Sequence, residues 1–342
     1  MKLKKISLLI LTLAMAFTAC KKEDDGFTPI PERDRDEQQL SDNDSLVKYL
    51  EGHYYNSAEL AALSPNAKLE DVIITALEEG ETAPADHTLL WDAVEKIEGL
   101  EYADTDYTYY ILRINQGAGD SPYFSDNVLV NYEGFTLDNS VFDASVNPLT
   151  MDLTTLVPGW RKVVPSFNTS ASYVDNEDGT VTFQDHGLGV MFLPSGLGYF
   201  SSGTGNIPAY SPIIFKIELL QMSENDHDGD GIPSYLEDIT GDGEFVVNPD
   251  LDEDDDTDGD LRPDYADTDD DGDGVLTKDE IEIEKVTKAT REEIELIELN
   301  ADQVLLNKII ENSDGTFTGT ILTLKDSNGN GIPDYLDPTY PE

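Results

Sequence analysis

The chain opens with three lysines (Lys2, Lys4, Lys5), an apolar run from Ile6 to Phe17, and small residues at Thr18 and Ala19. That run is too short for a membrane span with the right flanks and predicts an export signal. Residues 21–45 hold charged residues and Pro29 and Pro31 with almost nothing to bury, which predicts an extended tether. From Ser41 to Leu100 apolar residues fall at irregular helical spacings. Ser41 and Asp44 make a capping-box-like start before Leu46, Val47, Tyr49 and Leu50, so residues 46–105 read as two or three short helices. Near Tyr107 the period drops to two, through Tyr109 and Ile111, and strands are predicted at Val128–Glu133, Val190–Leu193 and Ile213–Leu220, parted by turns at Gly117–Pro122 and Leu137–Ser140. One helix fits, after Pro158, Gly159 and Trp160, and Pro165 limits it to a turn or two. The pattern predicts an α+β domain over 106–222, an antiparallel sheet with a short helix on one face. Beyond Met222 the periodicity lapses. It returns as a helical stretch predicted from Glu284 to about Leu306 and a Thr-rich alternating piece from Thr316 to Leu324.

Charge changes this picture most. The 342 residues carry 71 Asp plus Glu against 21 Lys plus Arg, a formal net charge of −50, which excludes nucleic acid as an electrostatic partner. Residues 224–282 hold 25 of the acidic residues against Arg262 and Lys278, a density that no ordinary core survives without counterions. The single cysteine, Cys20, can form no intramolecular disulfide. Its place after Phe17, Thr18 and Ala19 resembles a bacterial lipoprotein signal. The resemblance implies cleavage before Cys20 and acyl chains there that anchor the protein, each buried CH₂ contributing about 0.8 kcal/mol. Residues 21–25 are similar to tracts that send lipoproteins to the cell surface. An outer-membrane lipoprotein facing the periplasm or the exterior is therefore expected, with an ordinary secretory signal as the rival. His53 and His87 are isolated and read as surface or packing residues.

Five motifs within 106–222 occur in a telling order: Val128, Asn131, Tyr132 and Gly134; Val141, Phe142, Asp143 and Ser145; Val157, Gly159 and Trp160; Leu193, Pro194 and Tyr199; and Gly205, Ile207 and Pro208 leading to Phe215 and Leu220. Together they resemble an FKBP-type peptidyl-prolyl cis-trans isomerase. The resemblance implies that Tyr132, Phe142, Trp160 and Phe215 form the walls and floor of a proline pocket, with Leu149, Leu156 and Val157 at its rim. It implies that Asp143 is the carboxylate beside the substrate carbonyl, that Tyr199 donates to the bound peptide, and that Ile207 meets the ligand through its N–H and side chain. Such a site needs no cofactor. Rotation about X–Pro faces a barrier of about 18–20 kcal/mol from amide resonance, and a dry apolar site that accepts the twisted imide lowers it. The chain departs from the family where Pro148 replaces a basic residue, where Phe200 replaces a glycine, where two residues are missing between Leu153 and Leu156, and where an insertion at Asn168–His186 reads as a hairpin.

The acidic region contains a repeated cassette. Asp226, Asp228 and Asp230 precede Glu237; Asp256, Asp258 and Asp260 precede Asp267; Asp269, Asp271 and Asp273 precede Glu280; and Asp326, Asn328 and Asn330 precede Asp337, all in one spacing. Oxygens at positions 1, 3, 5 and 12 with Gly at 6 are the ligand pattern of a Ca²⁺ loop. Pro233, Pro263 and Pro333, each followed by a tyrosine, make three cassettes look like thrombospondin type 3 repeats, and the third is closer to an EF-hand loop. The second, with Leu261 at position 6, and the fourth, with two Asn ligands, are expected to bind more weakly. A solvated acidic linker is the rival. Together these features imply a monomeric, lipid-anchored isomerase of proline-containing exported polypeptides, with structural Ca²⁺ in residues 223–342. The rival from another class is a non-catalytic, calcium-dependent adhesion or scaffold protein.

Overall fold

The computed structural model describes residues 32–248 and 254–340; Cys20, the export signal and residues 21–31 lie outside the described residues. From Asp34 onward the chain forms one unit. Helix α1 (Arg35–Glu51) starts at Asp34, whose side chain accepts the Glu37 N–H. It thus takes in residues 35–45, which their composition assigns to the tether. The misreading has a cause: the first turns of α1 dock through polar groups. Buried Gln38 donates to Asp42, Gln39 donates to the Thr108 carbonyl, and Asp42 accepts from the Ser195 N–H at 2.7 Å.

After α1 come β1 (His53–Tyr55), α2 (Ser57–Leu63), β2 (Ile74–Ala76), β3 (Thr88–Leu89) and α3 (Leu90–Ala93), the strands making a small antiparallel sheet. Then β4 (Glu95–Tyr102), β5 (Thr105–Asn115), β6 (Asn127–Thr136) and β7 (Val141–Asp152) lead to α4 (Pro158–Val163). The inserted hairpin β8 (Ser172–Asp175) and β9 (Val181–Gln184) pairs with itself as expected. Strands β10 (Gly187–Leu193) and β11 (Ile213–Ser223) complete a six-stranded antiparallel sheet in the order β4-β5-β10-β11-β6-β7.

Both faces of this sheet are covered, not one. Tyr109, Ile111, Val130, Met191, Leu193, Phe215 and Ile217 face α4, where Trp160 and Val163 pack. On the other face Tyr110, Leu112, Val190, Phe192 and Ile214 meet Leu46, Tyr49 and Leu50 of α1, with Leu60 and Leu90. Every residue of β10 is buried, as its unbroken apolar run GLGVMFL suits a strand covered on both sides. Residues 46–105 are therefore not a separate helical layer: β4 is an edge strand of the main sheet and the rest is its lid.

The carboxyl-terminal region contains α5 (Thr277–Glu280), β12 (Ile281–Lys288), α6 (Arg291–Glu295), β13 (Gln303–Leu305), β14 (Ile310–Glu311) and β15 (Phe317–Leu324). The helix expected over Glu284–Leu306 is mostly absent. Its first part is β12, paired along its length with β15. Ile281 and Ile283 alternate with glutamates, and β15 offers a β-branched partner, so pairing overrides the helix propensity of Glu and Lys. The EF-hand-like continuation of the third cassette fails for the same reason. Ile232, Ile281, Leu322 and Tyr335 form a small core here. Among the described residues no helix is long and apolar enough to cross a membrane.

Candidate functional site

Four aromatic side chains meet on the α4 side of the sheet. Trp160, carried by α4, stands edge-on to Tyr132 of β6, with ring centroids 5.6 Å apart at 88°. It is also edge-on to Phe215 of β11, at 5.3 Å and 76°, and Phe215 meets Phe142 of β7 at 5.5 Å and 89°. These are the favourable T-shaped arrangements for aromatic quadrupoles. Two glycines permit them. A Cβ on Gly134 would lie 2.6 Å from Phe142 and 2.7 Å from Phe215, and one on Gly159 would lie 2.4 Å from Leu193, so Gly lets the rings and α4 approach the sheet. The Tyr132 hydroxyl donates to Asp143 Oδ2 at 2.7 Å. Burial, reinforced by that carboxylate, pushes the Tyr132 hydroxyl up to about 12, so it stays a donor near neutral pH. Tyr199 is half-buried beside the cluster, its hydroxyl raised by burial and by the Asp143 charge. Phe142 also lines a cleft of about 420 Å³, together with Leu137, Val141, Asn206, Pro208 and Pro212.

Leu156 and Val157, expected at the pocket rim, pack half-buried against the core that contains these rings. Leu149 does not: it stands exposed on the edge strand β7, where no strand lies beyond it. Ile207 is buried, but its N–H already donates to the Thr204 carbonyl at 2.7 Å, so its contribution to a ligand rests on its side chain. Phe200 adopts φ 41° where the family has glycine. It stands edge-on to Tyr210 and lies beneath the Arg35 guanidinium at 4.1 Å.

In each acidic cassette the first aspartate accepts N–H groups from its own loop. Asp256, Asp258 and Asp260 gather within 4.8 Å of one another, as do Asp269, Asp271 and Asp273. Asp228, Asp230 and Glu237 gather likewise, but with Asp270 rather than Asp226. Glu237 is fully buried and neither of its oxygens has a partner; the same holds for the oxygens of Glu280, which is 5% exposed. Burial and then neighbouring carboxylates push Glu280 up to about 8 and Asp271 to about 6. Unpartnered buried carboxylate oxygens are the donor set that a hard divalent cation takes, so these residues fit Ca²⁺. Asp267 pairs with Arg262 at 3.2 Å. In the fourth cassette Asn328 and Asn330 both donate to Asp337 at 2.8 Å, closing the loop on itself around Asp326.

Composition gave no sign of the contact between the acidic region and the pocket helix. Glu244 pairs with Arg161 and, at 3.0 Å, with Lys162, the two residues after Trp160. Tyr123 stacks on Tyr235 at 3.5 Å, and His227 meets Asp152 of β7 at 3.1 Å.

Residues 119–220 match the family model of the FKBP-type peptidyl-prolyl cis-trans isomerase, and residues 227–306 match one described as BamM C-terminal. The FKBP-type isomerase FkpA of Aeromonas hydrophila is 30% identical over 138 residues, 40% of this chain and 45% of that protein. The 22 kDa FKBP-type isomerase of Escherichia coli is 28% identical over 131 residues, 37% of this chain and 55% of that protein. The crystal structure of FkpA from Escherichia coli is 27% identical, covering 34% of this chain and 48% of that one, with a TM-score of 0.28. The chain spans less than half the length of the FkpA relatives it matches. Motif order, aromatic cluster and family match together assign residues 119–220 to an FKBP-type peptidyl-prolyl isomerase domain.

Proposed function

We propose that the chain catalyses cis/trans isomerisation of X–Pro bonds in exported polypeptides, held at the outer membrane by a lipid on Cys20, with Ca²⁺ ordering the acidic region. The observation that carries the catalytic reading is the edge-to-face cluster of Tyr132, Phe142, Trp160 and Phe215, with the Tyr132 hydroxyl donating to the exposed Asp143 carboxylate at its edge. A prolyl ring seated among these rings leaves water, and its imide twists where the carbonyl that loses conjugation is not solvated as a planar amide. Asp143 lies beside that carbonyl, and Tyr199 holds the peptide. No nucleophile or cofactor takes part.

A proline-isomerisation assay on the full chain with Ca²⁺ tests this reading. The wild type is expected to exceed the uncatalysed rate, and Phe215→Ala and Asp143→Ala to lose at least about tenfold, each tenfold being 1.36 kcal/mol of barrier. No rate above background would move the reading to a peptide-binding or scaffold protein. The lipid anchor rests on the sequence around Cys20. Cys20→Ser should release the protein from membranes, and its retention there would remove the anchor from the reading.

A further inference from the structure

We propose that Asp270 completes a divalent-cation site whose other ligands are Asp228, Asp230 and Glu237, so that a single ion ties the first acidic loop to a residue lying inside the third. The proposal rests on the Ca²⁺ reading above and goes beyond it, because Asp270 holds none of the ligand positions of its own cassette.

The four carboxylates lie within 4.8 Å of one another. Three are almost wholly withdrawn from solvent, Glu237 at 0%, Asp270 at 2% and Asp230 at 3% exposure. Both oxygens of Glu237, both of Asp270, and Oδ2 of Asp228 and Asp230 accept no hydrogen bond. Among the described residues no Lys or Arg pairs with any of the four. Buried carboxylate oxygens left without partners are costly as charges, and a bound cation offsets that cost.

In the first loop the outside residue stands where the second and third loops use their own first aspartate. Asp256 and Asp269 join their own clusters as first-position ligands, whereas Asp226 stays out of its cluster. Asp270 takes the place it leaves. A set of six free carboxylate oxygens, with no nitrogen or sulfur ligand, suits Ca²⁺ better than Zn²⁺ or a water-retaining Mg²⁺.

The test is calcium titration of the full, chelator-stripped chain by calorimetry, with thermal melts in chelator and in Ca²⁺. Asp270→Asn should remove one bound ion from the stoichiometry, or weaken one site at least tenfold, while Asp279→Asn, at an exposed acidic position, should leave the titration unchanged. Removing one of four mutually repelling charges should also raise the melting temperature in chelator while shrinking the gain on adding Ca²⁺. A merely structural Asp270 would lower both, and that pattern would overturn the proposal. So would an unchanged number and affinity of ions in Asp270→Asn alongside a wild type that binds Ca²⁺. A wild type that binds no Ca²⁺ would instead remove the calcium reading itself.

Discussion

Leu261 occupies the sixth position of the second acidic loop with φ 77°, where Gly231, Gly274 and Gly331 stand in the other loops with φ of 106°, 94° and 92°. A side chain in the left-handed region costs about 1–2 kcal/mol, and Leu261 is 68% exposed, so packing returns little of it. Leu261→Gly should therefore raise stability by about 1 kcal/mol in a chemical melt with Ca²⁺, and a fall in stability would show that the leucine makes contacts that outweigh the strain. At this scale the sequence was informative wherever chemistry depends on residue type at fixed spacing. Tyr132, Phe142, Trp160 and Phe215 could be named because the motifs that carry them resemble those of the isomerase family in their order. Leu149 was placed at the rim wrongly, because its type is right and only its position on an edge strand differs. Asp270 was hidden by its neighbours: in a run of three aspartates nothing but burial separates a ligand from filler.

Elements were legible where hydrophobic period and tertiary environment agree. The alternation at the start of β5, the apolar run of β11 and the insertion at Asn168–His186 led directly to strands and a hairpin. They misled where an element is stabilised by something other than an apolar stripe. Helix α1 docks its first turns through Gln38, Gln39 and Asp42, and a polar docking face is indistinguishable from a tether in composition. Strand β12 has helix-forming residues, yet it exists because β15 lies beside it, and a pairing partner some thirty residues away leaves no local mark. The double covering of β10 follows the same logic. Its apolar run announces burial on both sides, but the identity of the second cover, α1 and the elements after it, depends on contacts distant in sequence.

On the scale of the whole molecule, the acidic region is not an appendage. Its Glu244 grips Arg161 and Lys162 on the helix that carries Trp160, and its Tyr235 stacks on Tyr123. If Ca²⁺ orders the region, its removal should reach the pocket. In a Trp91→Phe background, which leaves Trp160 as the sole tryptophan, chelation is expected to shift the emission of the otherwise buried indole, and Glu244→Gln to reproduce part of the shift with Ca²⁺ still bound. An emission spectrum indifferent to chelation would mean that the two regions work independently. The two-sided sheet has a further consequence, in time rather than space. Leu46, Tyr49 and Leu50 leave the ribosome early, yet the surface that shelters them, Phe192 and Ile214, is made only near the end of the isomerase domain. Until then their apolar face has nowhere to go, and such late-closing contacts fold slowly and expose the chain to aggregation. A protein whose proposed work is to hasten the folding of others must itself be kept unfolded until more than half of it has been synthesised.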